Sequence, residues 1–217
     1  MRERPILFTG PMVRAILAGN KTQTRRVVKP WEPRPGSAAV PADISYLPDF
    51  TCYRTTCPYG QPGDRLWVRE STHRRPMLNL LTGEPLAEKY DGGAYTADGA
   101  DVLTPEGFDL AWWYSRKSCP SIHMPRFACR LVLEVTGVRV ERLQVITEEQ
   151  ARAEGITDGG CTNCGHNEPC GCDAPAPSAI DSFAYLWGSI NGPGSWDANP
   201  WVWFVEFRRI EEGGANG

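Results

Sequence analysis

The sequence predicts a mainly β protein of the α+β class, a small closed or semi-closed β-barrel with flanking helices and two long loop insertions. Its 22 glycines, 19 prolines and 8 tryptophans in 217 residues are typical of a chain with many turns and few long helices. Residues 127–143 alternate apolar and polar side chains, which is the clearest strand pattern in the chain. We expect a single domain over residues 1–210 and a disordered tail at residues 211–217.

The first predicted elements are a strand, a short helix and a second strand. Residues 5–9 form an apolar run suited to a strand, and Gly10 with the following proline suits the start of a helix that Gly19 ends. The polar side chains of residues 22–26 alternate, which predicts the second strand. Lys21 stands in the turn before it, so this junction gathers an amine, hydroxyls and guanidinium groups.

Two long insertions are predicted in the middle of the chain. Residues 29–62 are rich in proline and small residues and show little periodicity, which indicates a surface insertion. Residues 63–70 alternate and predict a half-buried strand. Residues 71–125 form the second insertion, in which only a short strand at residues 93–97 is predicted.

A helix directly follows the long strand. Thr147 and Gln150 have the spacing of a capping box, and Gly155 can end the helix after two turns. Glu154 therefore falls at the C-terminal end, where a negative charge is unfavourable, so its position requires a reason beyond helix stability. The last predicted elements are a helix at residues 178–190 and an apolar strand at residues 201–209.

Charge and hydropathy narrow the classes of partner. The net charge of −3 argues against a general polyanion binder, so any nucleic-acid contact requires a local basic patch. The chain has no apolar run of membrane length and no signal pattern at its N-terminus, which predicts a cytoplasmic protein without a membrane partner. The sequence does not predict the oligomeric state.

Half of the eight cysteines fall in one short segment, CTNCGHNEPCGC, within a loop predicted at residues 157–175. Since disulfides are rare in the cytoplasm, these thiols are candidates for a structural tetrahedral zinc site. Free surface thiols are the alternative, and His166 can replace one of the last two ligands. Four protein ligands leave no open position, so we expect no catalysis by the metal and no organic cofactor. The predicted ligands are Cys161, Cys164, Cys170 and Cys172.

Four stretches of the sequence resemble the ASCH family of PUA-like barrels. They are ILAGNKTQTRR, which has the family's G-x-K-x-x-T-x-R form, PGDRLWVRE, LEVTGVRVERLQVITEEQARAEGI and WVWFVEF. The segments GPMVRAIL, HMPR and NPWVW are also similar to ASCH proteins found in phage and prophage genomes. The resemblance implies a PUA-like barrel and a nucleoside or nucleic-acid ligand.

The resemblance also implies an activity. A characterised ASCH member is a small bacterial enzyme that hydrolyses the amide of N4-acetylcytidine with a Lys, a Thr and a Glu, and the matching positions here are Lys21, Thr24 and Glu154. Thr24 would attack the acyl carbon or orient a water molecule, and Lys21 would act as the base if burial lowers its pKa. Glu154 would shuttle the proton or hold the cytosine edge. The alternatives are a noncatalytic RNA- or DNA-binding module and a ribonuclease.

Other side chains are candidates for contacts with a modified nucleoside or a single-stranded nucleic acid. Guanidinium groups at the junction can stabilise a developing oxyanion, and tryptophans on nearby strands can stack on a base. The alternative is a purely structural role, in which the tryptophans belong to the core and the arginines pair on the surface. The predicted substrate-binding residues are Arg25, Arg26, Trp67, Arg69 and Trp201.

Overall fold

A computed structural model describes residues 1–32, 41–157 and 177–210. The strands are β1 (Glu3–Leu7), β2 (Gln23–Val27), β3 (Ile44–Tyr46), β4 (Cys52–Arg54), β5 (Arg65–Arg69), β6 (Thr72–Leu78), β7 (Pro85–Tyr95), β8 (Asp101–Val102), β9 (Ser118–Cys119), β10 (Val132–Arg142) and β11 (Trp201–Ile210). The helices are α1 (Gly10–Leu17), α2 (Glu148–Ala153) and α3 (Ala179–Asn191). The predicted tail and most of the predicted cysteine loop, including its four cysteines, lie outside the described residues.

The chain divides into two compact units. Unit 1 comprises Met1–Gly19, Arg65–Leu133 and the C-terminal residues from Arg209, and unit 2 comprises Asn20–Asp64 and Glu134–Arg208. The chain passes from one unit to the other inside β10 and again inside β11. The prediction of a single domain stays a prediction.

Unit 1 contains the N-terminal strand and helix and the second predicted insertion. β1 pairs in parallel with β5, from Glu3 opposite Arg65 to Leu7 opposite Arg69. α1 begins directly after β1 with a proline in its first turn, and Gly19 follows it with φ +78°, as the sequence predicts. A second sheet has the strand order β8-β7-β6-β9. The apolar core beneath this sheet consists of Tyr95, Val102, Ala111, Met124 and Ala128.

Unit 2 is organised around β11, which lies between β10 and β2. β11 pairs antiparallel with β2, from Val202 opposite Val27 to Glu206 opposite Gln23. The first insertion contributes a small antiparallel pair, β3 with β4. α2 and α3 share an apolar cluster with the strands, and its buried members are Leu143, Ile146, Ala151, Ala179, Phe183, Trp187 and Val202.

The predicted class is confirmed at the coarse level, because the described residues form a mixed α and β structure whose regular elements are mostly strands. The barrel prediction is not met, since none of the sheets in the described residues closes on itself. Closure requires the outermost strands to pair, and within the described residues β1 and β2 each have a strand neighbour on one side alone. The second insertion is also more ordered than predicted, because β6, β7, β8 and β9 form a sheet there.

The described helices do not combine the length and the apolar composition that crossing a bilayer requires.

Candidate functional site

The start of β2 meets the end of α2 in unit 2. Lys21 and Glu154 form an isolated antiparallel bridge, although they are 133 residues apart in the sequence. Next to this bridge, the backbone amide of Thr22 donates to the carbonyl of Ala153 at 2.9 Å. The amide of Phe207 on β11 donates to the carbonyl of Thr22 at 2.8 Å. Backbone pairing on both sides therefore fixes the position from which the Lys21 side chain extends.

The Lys21 amine is bonded to Glu154 through two hydrogen bonds. Its Nζ atom donates to Glu154 Oε2 at 2.9 Å and to the Glu154 carbonyl at 2.7 Å. The two side chains are 1% and 3% exposed. Burial lowers the pKa of Lys21 below its ordinary value of 10.5, because loss of water outweighs the opposing attraction of the Glu154 carboxylate.

Arg25 is a second cation on the same carboxylate. Its Nη1 donates to Glu154 Oε1 at 3.1 Å, and its Nε and Nη2 donate to Glu141 Oε1 at 3.1 and 2.8 Å. The guanidinium also lies over the Phe204 ring, 4.7 Å from its centroid. Glu154 therefore binds an ammonium with one oxygen and a guanidinium with the other, which explains why an anion is tolerated at the C-terminal end of α2.

The capping box of α2 extends into this cluster through Gln150. The Thr147 hydroxyl accepts from the Gln150 amide at 3.2 Å, and Gln150 Oε1 accepts from the Thr147 amide at 3.3 Å. The same Oε1 accepts from Arg25 Nη2 at 2.8 Å, and the Gln150 carbonyl accepts from Gln23 Nε2 at 2.9 Å. Gln150 thus caps the helix and orients Arg25 at once.

Glu141 and Gln150 are members of the cluster that the sequence did not assign to the site. Gln150 was recognisable as the capping residue of a helix, but its bond to Arg25 spans 125 residues. Glu141 lies on β10 and is separated from Arg25 by 116 residues. No local pattern signals such partners, because they depend on how the strands are ordered in the sheet.

Thr24 lies on the other face of β2. Side chains alternate along a strand, and Gln23 and Arg25 both point toward α2, where they bond to Gln150. Thr24 is buried and stands opposite Val205 of β11. The structure therefore brings Lys21 and Glu154 together but does not join Thr24 to them.

Two predicted substrate-binding residues besides Arg25 lie in unit 2. Arg26 stands opposite Trp203 in the pairing of β2 with β11, on the same face as Thr24. The Trp201 indole donates to Asp49 Oδ2 at 2.8 Å, and the Arg142 guanidinium covers its ring at 4.4 Å. Hydrogen bonds from the Thr51 and Trp201 side chains and the Thr51 amide, with the nearby charge of Arg142, lower the pKa of Asp49 to about 2. Trp201 is thus engaged by its own unit.

The other two predicted substrate-binding residues, Trp67 and Arg69, belong to β5 in unit 1. The Arg69 guanidinium lies 5.3 Å from the Trp67 ring centroid and donates to the carbonyl of Ile122. Arg126 approaches the same ring at 6.0 Å. Arg69 therefore contacts residues of unit 1, and the substrate-binding role of Trp67 and Arg69 stays a prediction.

The predicted zinc ligands lie outside the described residues. In the part of the chain that the structure describes, no group of three or more His, Cys, Asp or Glu side chains is arranged to hold a metal. The cysteines in that part form no disulfide bond with one another, and they are Cys52, Cys57, Cys119 and Cys129. The zinc site stays a prediction from the sequence.

Comparison with known proteins gives one weak structural likeness. No family model matches the sequence, and no curated protein matches it either. Among solved structures, the chain is similar to the protein EF3133 from Enterococcus faecalis V583, which is described by the family model DUF984. The two are 10% identical with a TM-score of 0.37, over 97% of this chain and 81% of that one. The ASCH resemblance therefore depends on the sequence motifs alone.

Proposed function

We propose that this protein is a PUA-like ASCH hydrolase that cleaves the amide of an N4-acylated cytosine, with Lys21 and Glu154 as its acid–base pair. The observation that supports this most directly is the 2.9 Å contact between the Lys21 amine and the Glu154 carboxylate. The two residues were selected from separate motifs, and a hydrolase of this kind requires them at one place.

The reaction needs a base for the attacking water and an acid for the leaving amine. Neutral Lys21 takes a proton from water, and the resulting hydroxide oxygen bonds to the acyl carbon. The bond from that carbon to N4 then breaks, and the proton passes through Glu154 to N4. The products are a carboxylic acid and the free cytosine amine, so all atoms are accounted for.

The surroundings of the pair suit this chemistry in two ways. The lowered pKa of Lys21 increases the fraction of neutral amine at a given pH, which a base requires. Arg25 holds the second oxygen of Glu154 at 3.1 Å and so restricts rotation of the carboxylate. Water is the nucleophile in this reaction, because Thr24 lies on the opposite face of β2.

A second candidate is a noncatalytic nucleic-acid-binding module. The complete burial of the ionic cluster favours it, since the side chains of Lys21, Arg25 and Glu154 are 1%, 0% and 3% exposed. Buried ion pairs can serve to fix one arrangement of a fold without taking part in a reaction. In that case, Lys21 and Arg25 attach β2 to α2, and binding takes place elsewhere on the protein.

A single set of incubations separates these functions. Wild type, Lys21→Met and the surface control Lys89→Met are incubated with N4-acetylcytidine and with labelled single-stranded RNA, and the products are identified by mass spectrometry. We expect the wild type and Lys89→Met to release cytidine and acetate, and Lys21→Met to be at least about 100-fold slower. Salt-dependent oligonucleotide binding without turnover would support the binding module, and RNA fragments would indicate a ribonuclease.

The variant Thr24→Val tests the remaining predicted catalytic residue in the same assay. This substitution removes a hydroxyl from the far face of β2. Turnover is expected to stay within a factor of about three of the wild-type value, because water is the nucleophile in the proposed reaction. A loss comparable to that of Lys21→Met would return the attacking role to Thr24.

A further inference from the structure

A cleft in unit 2 lies beside the C-terminal end of β2. It has a volume of about 350 Å³. Most of its walls come from described residues of the first insertion, and β2 and β11 supply the rest. Its lining includes Val28, Lys29, Trp31, Arg54, Tyr59 and Trp203.

The cleft is separate from the buried ionic cluster. Trp203 stands opposite Arg26 in the pairing of β11 with β2, and Arg25 faces the other side of the same strand toward Gln150. Successive side chains of a strand point to opposite faces, so the sheet itself lies between Trp203 and the Lys21–Glu154 pair. A ligand in the cleft would therefore be recognised independently of that pair.

Three aromatic side chains contribute to the apolar lining of the cleft. Trp31, Tyr59 and Trp203 all line it. The Trp203 ring is held from one side by Tyr53, with ring centroids 6.0 Å apart and planes inclined by 54°. Planar aromatic walls of this kind bind flat heterocycles by stacking, and nucleobases are the common example in proteins.

Two cationic side chains complete the lining. Lys29 is exposed, and the Arg54 side chain is 54% exposed. Asp43 accepts from Arg54 Nη1 at 3.2 and 3.0 Å. Since a guanidinium carries five N–H donors, donors remain for an anionic ligand beyond those that Asp43 uses. Aromatic walls with cations at the mouth are the combination that recognises a ring bearing a phosphate.

We infer that this cleft binds one nucleotide, with the base against the aromatic wall and the phosphate at Arg54 and Lys29. Its volume is near the lower end of the range of about 300–1,000 Å³ for ligand pockets, which suits one nucleotide unit. The bound nucleotide can be free in solution or one residue of a single strand, because both present the same base and phosphate. The inference does not depend on the proposed hydrolysis.

Isothermal titration calorimetry with defined probes tests the inference. The probes are cytidine 5′-monophosphate, adenosine 5′-monophosphate, the two parent nucleosides, ribose 5-phosphate and a single-stranded hexanucleotide. Binding of a nucleotide that is stronger than binding of both its nucleoside and ribose 5-phosphate is expected. If only the hexanucleotide binds among the phosphate-bearing probes, the source is a strand, and if the monophosphates bind as well, free nucleotides suffice.

Variants of the wall assign the binding to this cleft. Arg54→Ala should weaken nucleotide binding about tenfold and leave nucleoside binding unchanged. Trp31→Leu should weaken both about tenfold through lost stacking. The control Arg208→Ala removes another exposed arginine of unit 2, paired with Glu134 at 2.7 Å, and should bind like the wild type. Thermal unfolding shows whether each variant is folded. If Trp31→Leu does not fold, the nucleotide affinity of Arg54→Ala alone tests the inference.

Several results would overturn the inference. These are no binding of either the monophosphates or the hexanucleotide at millimolar concentration, equal binding of ribose 5-phosphate and nucleotides, or an unchanged affinity in folded Arg54→Ala. Lys21→Met separates the two proposals, because it should lose turnover and keep nucleotide affinity. Turnover without nucleotide binding in the cleft would leave the hydrolase proposal intact and refute this one.

Discussion

At the scale of single residues, the central feature is a carboxylate shared by two buried cations. Glu154 stands at the helix C-terminal end, where the helix dipole disfavours it, and the sequence alone marked this as unusual. Lys21 and Arg25 supply the compensation at 2.9 and 3.1 Å. The unusual position of Glu154 was therefore predictable from the sequence. Its pairing with both Lys21 and Arg25 depended on the tertiary structure.

Removal of the shared carboxylate should be costly. We expect Glu154→Ala to lower the free energy of unfolding by about 3–5 kcal/mol, because it removes the carboxylate that pairs with the buried Lys21 amine and leaves Arg25 with Glu141 as its acidic partner. Glu154→Gln, which keeps the shape and one acceptor oxygen, should cost less. Urea denaturation measures both. The surface control Glu134→Ala, which loses only an exposed pair with Arg208, should cost less than about 1 kcal/mol. A similarly small loss for Glu154→Ala would contradict the structural role of the cluster.

The pH dependence of turnover follows from the lowered pKa of Lys21. The neutral amine is the base in the proposed reaction, so turnover should rise with pH and level off below pH 10.5, the ordinary pKa of a lysine. Lys21→Arg should remove the rise, because a guanidinium stays protonated throughout this range. A pH–rate profile of the two proteins checks the sign. A rise that persists unchanged in Lys21→Arg would show that another group titrates.

At the scale of secondary-structure elements, α2 connects helix capping to the ionic cluster. Its capping box was predicted from Thr147 and Gln150 and is present in the structure. α3 has an equivalent box at Ser178 and Asp181. The two helices thus offer matched caps, of which only the first also touches Arg25.

This pair of caps provides a controlled test. Thr147→Ala and Ser178→Ala should each lower the free energy of unfolding by about 1 kcal/mol, as loss of an N-cap side chain usually does. Thr147→Ala should in addition slow turnover, because Gln150 loses its anchor beside Arg25. Denaturation curves and initial rates are measured on both variants. Equal rates in the two proteins would show that the cap does not support the site.

The elements that the sequence predicted well are those with strong local signals. Gly10 and Gly19 bound α1 closely, and the alternation of β10 is long enough to stand out. The hairpin of β6 and β7 was not recognised, because Pro76 and register shifts on both sides of it interrupt the alternation. The barrel prediction depended on strand pairing, which local patterns do not specify.

At the scale of the whole molecule, the ASCH motifs and the insertions have separate consequences. The residues of the ionic cluster all come from two of the segments that resemble the family, ILAGNKTQTRR and LEVTGVRVERLQVITEEQARAEGI. The cleft for which we propose nucleotide binding is lined mainly by residues of the first insertion. The predicted hydrolysis and the predicted nucleotide binding therefore involve different residues, and each requires its own test.

The zinc site in the cysteine segment is predicted from the spacing of the four thiols alone. We expect about one zinc per chain by elemental analysis of protein purified without chelators, since four closely spaced thiols suit a closed tetrahedral site. The double substitution Cys161→Ser with Cys164→Ser should abolish the metal. Cys52→Ser, which changes a free thiol of β4, should retain it. Protein without zinc, or zinc that survives the double substitution, would refute this site.

The most direct test of the central claim is a double-mutant comparison of kcat for hydrolysis of N4-acetylcytidine. Wild type, Lys21→Met, Glu154→Gln and the double variant are measured under the same conditions. If the two residues act as one acid–base unit, each single variant should lose about 10²–10⁴-fold in kcat and the double variant should lose little more. Losses that multiply in the double variant, or near-wild-type turnover by Lys21→Met, would contradict the account.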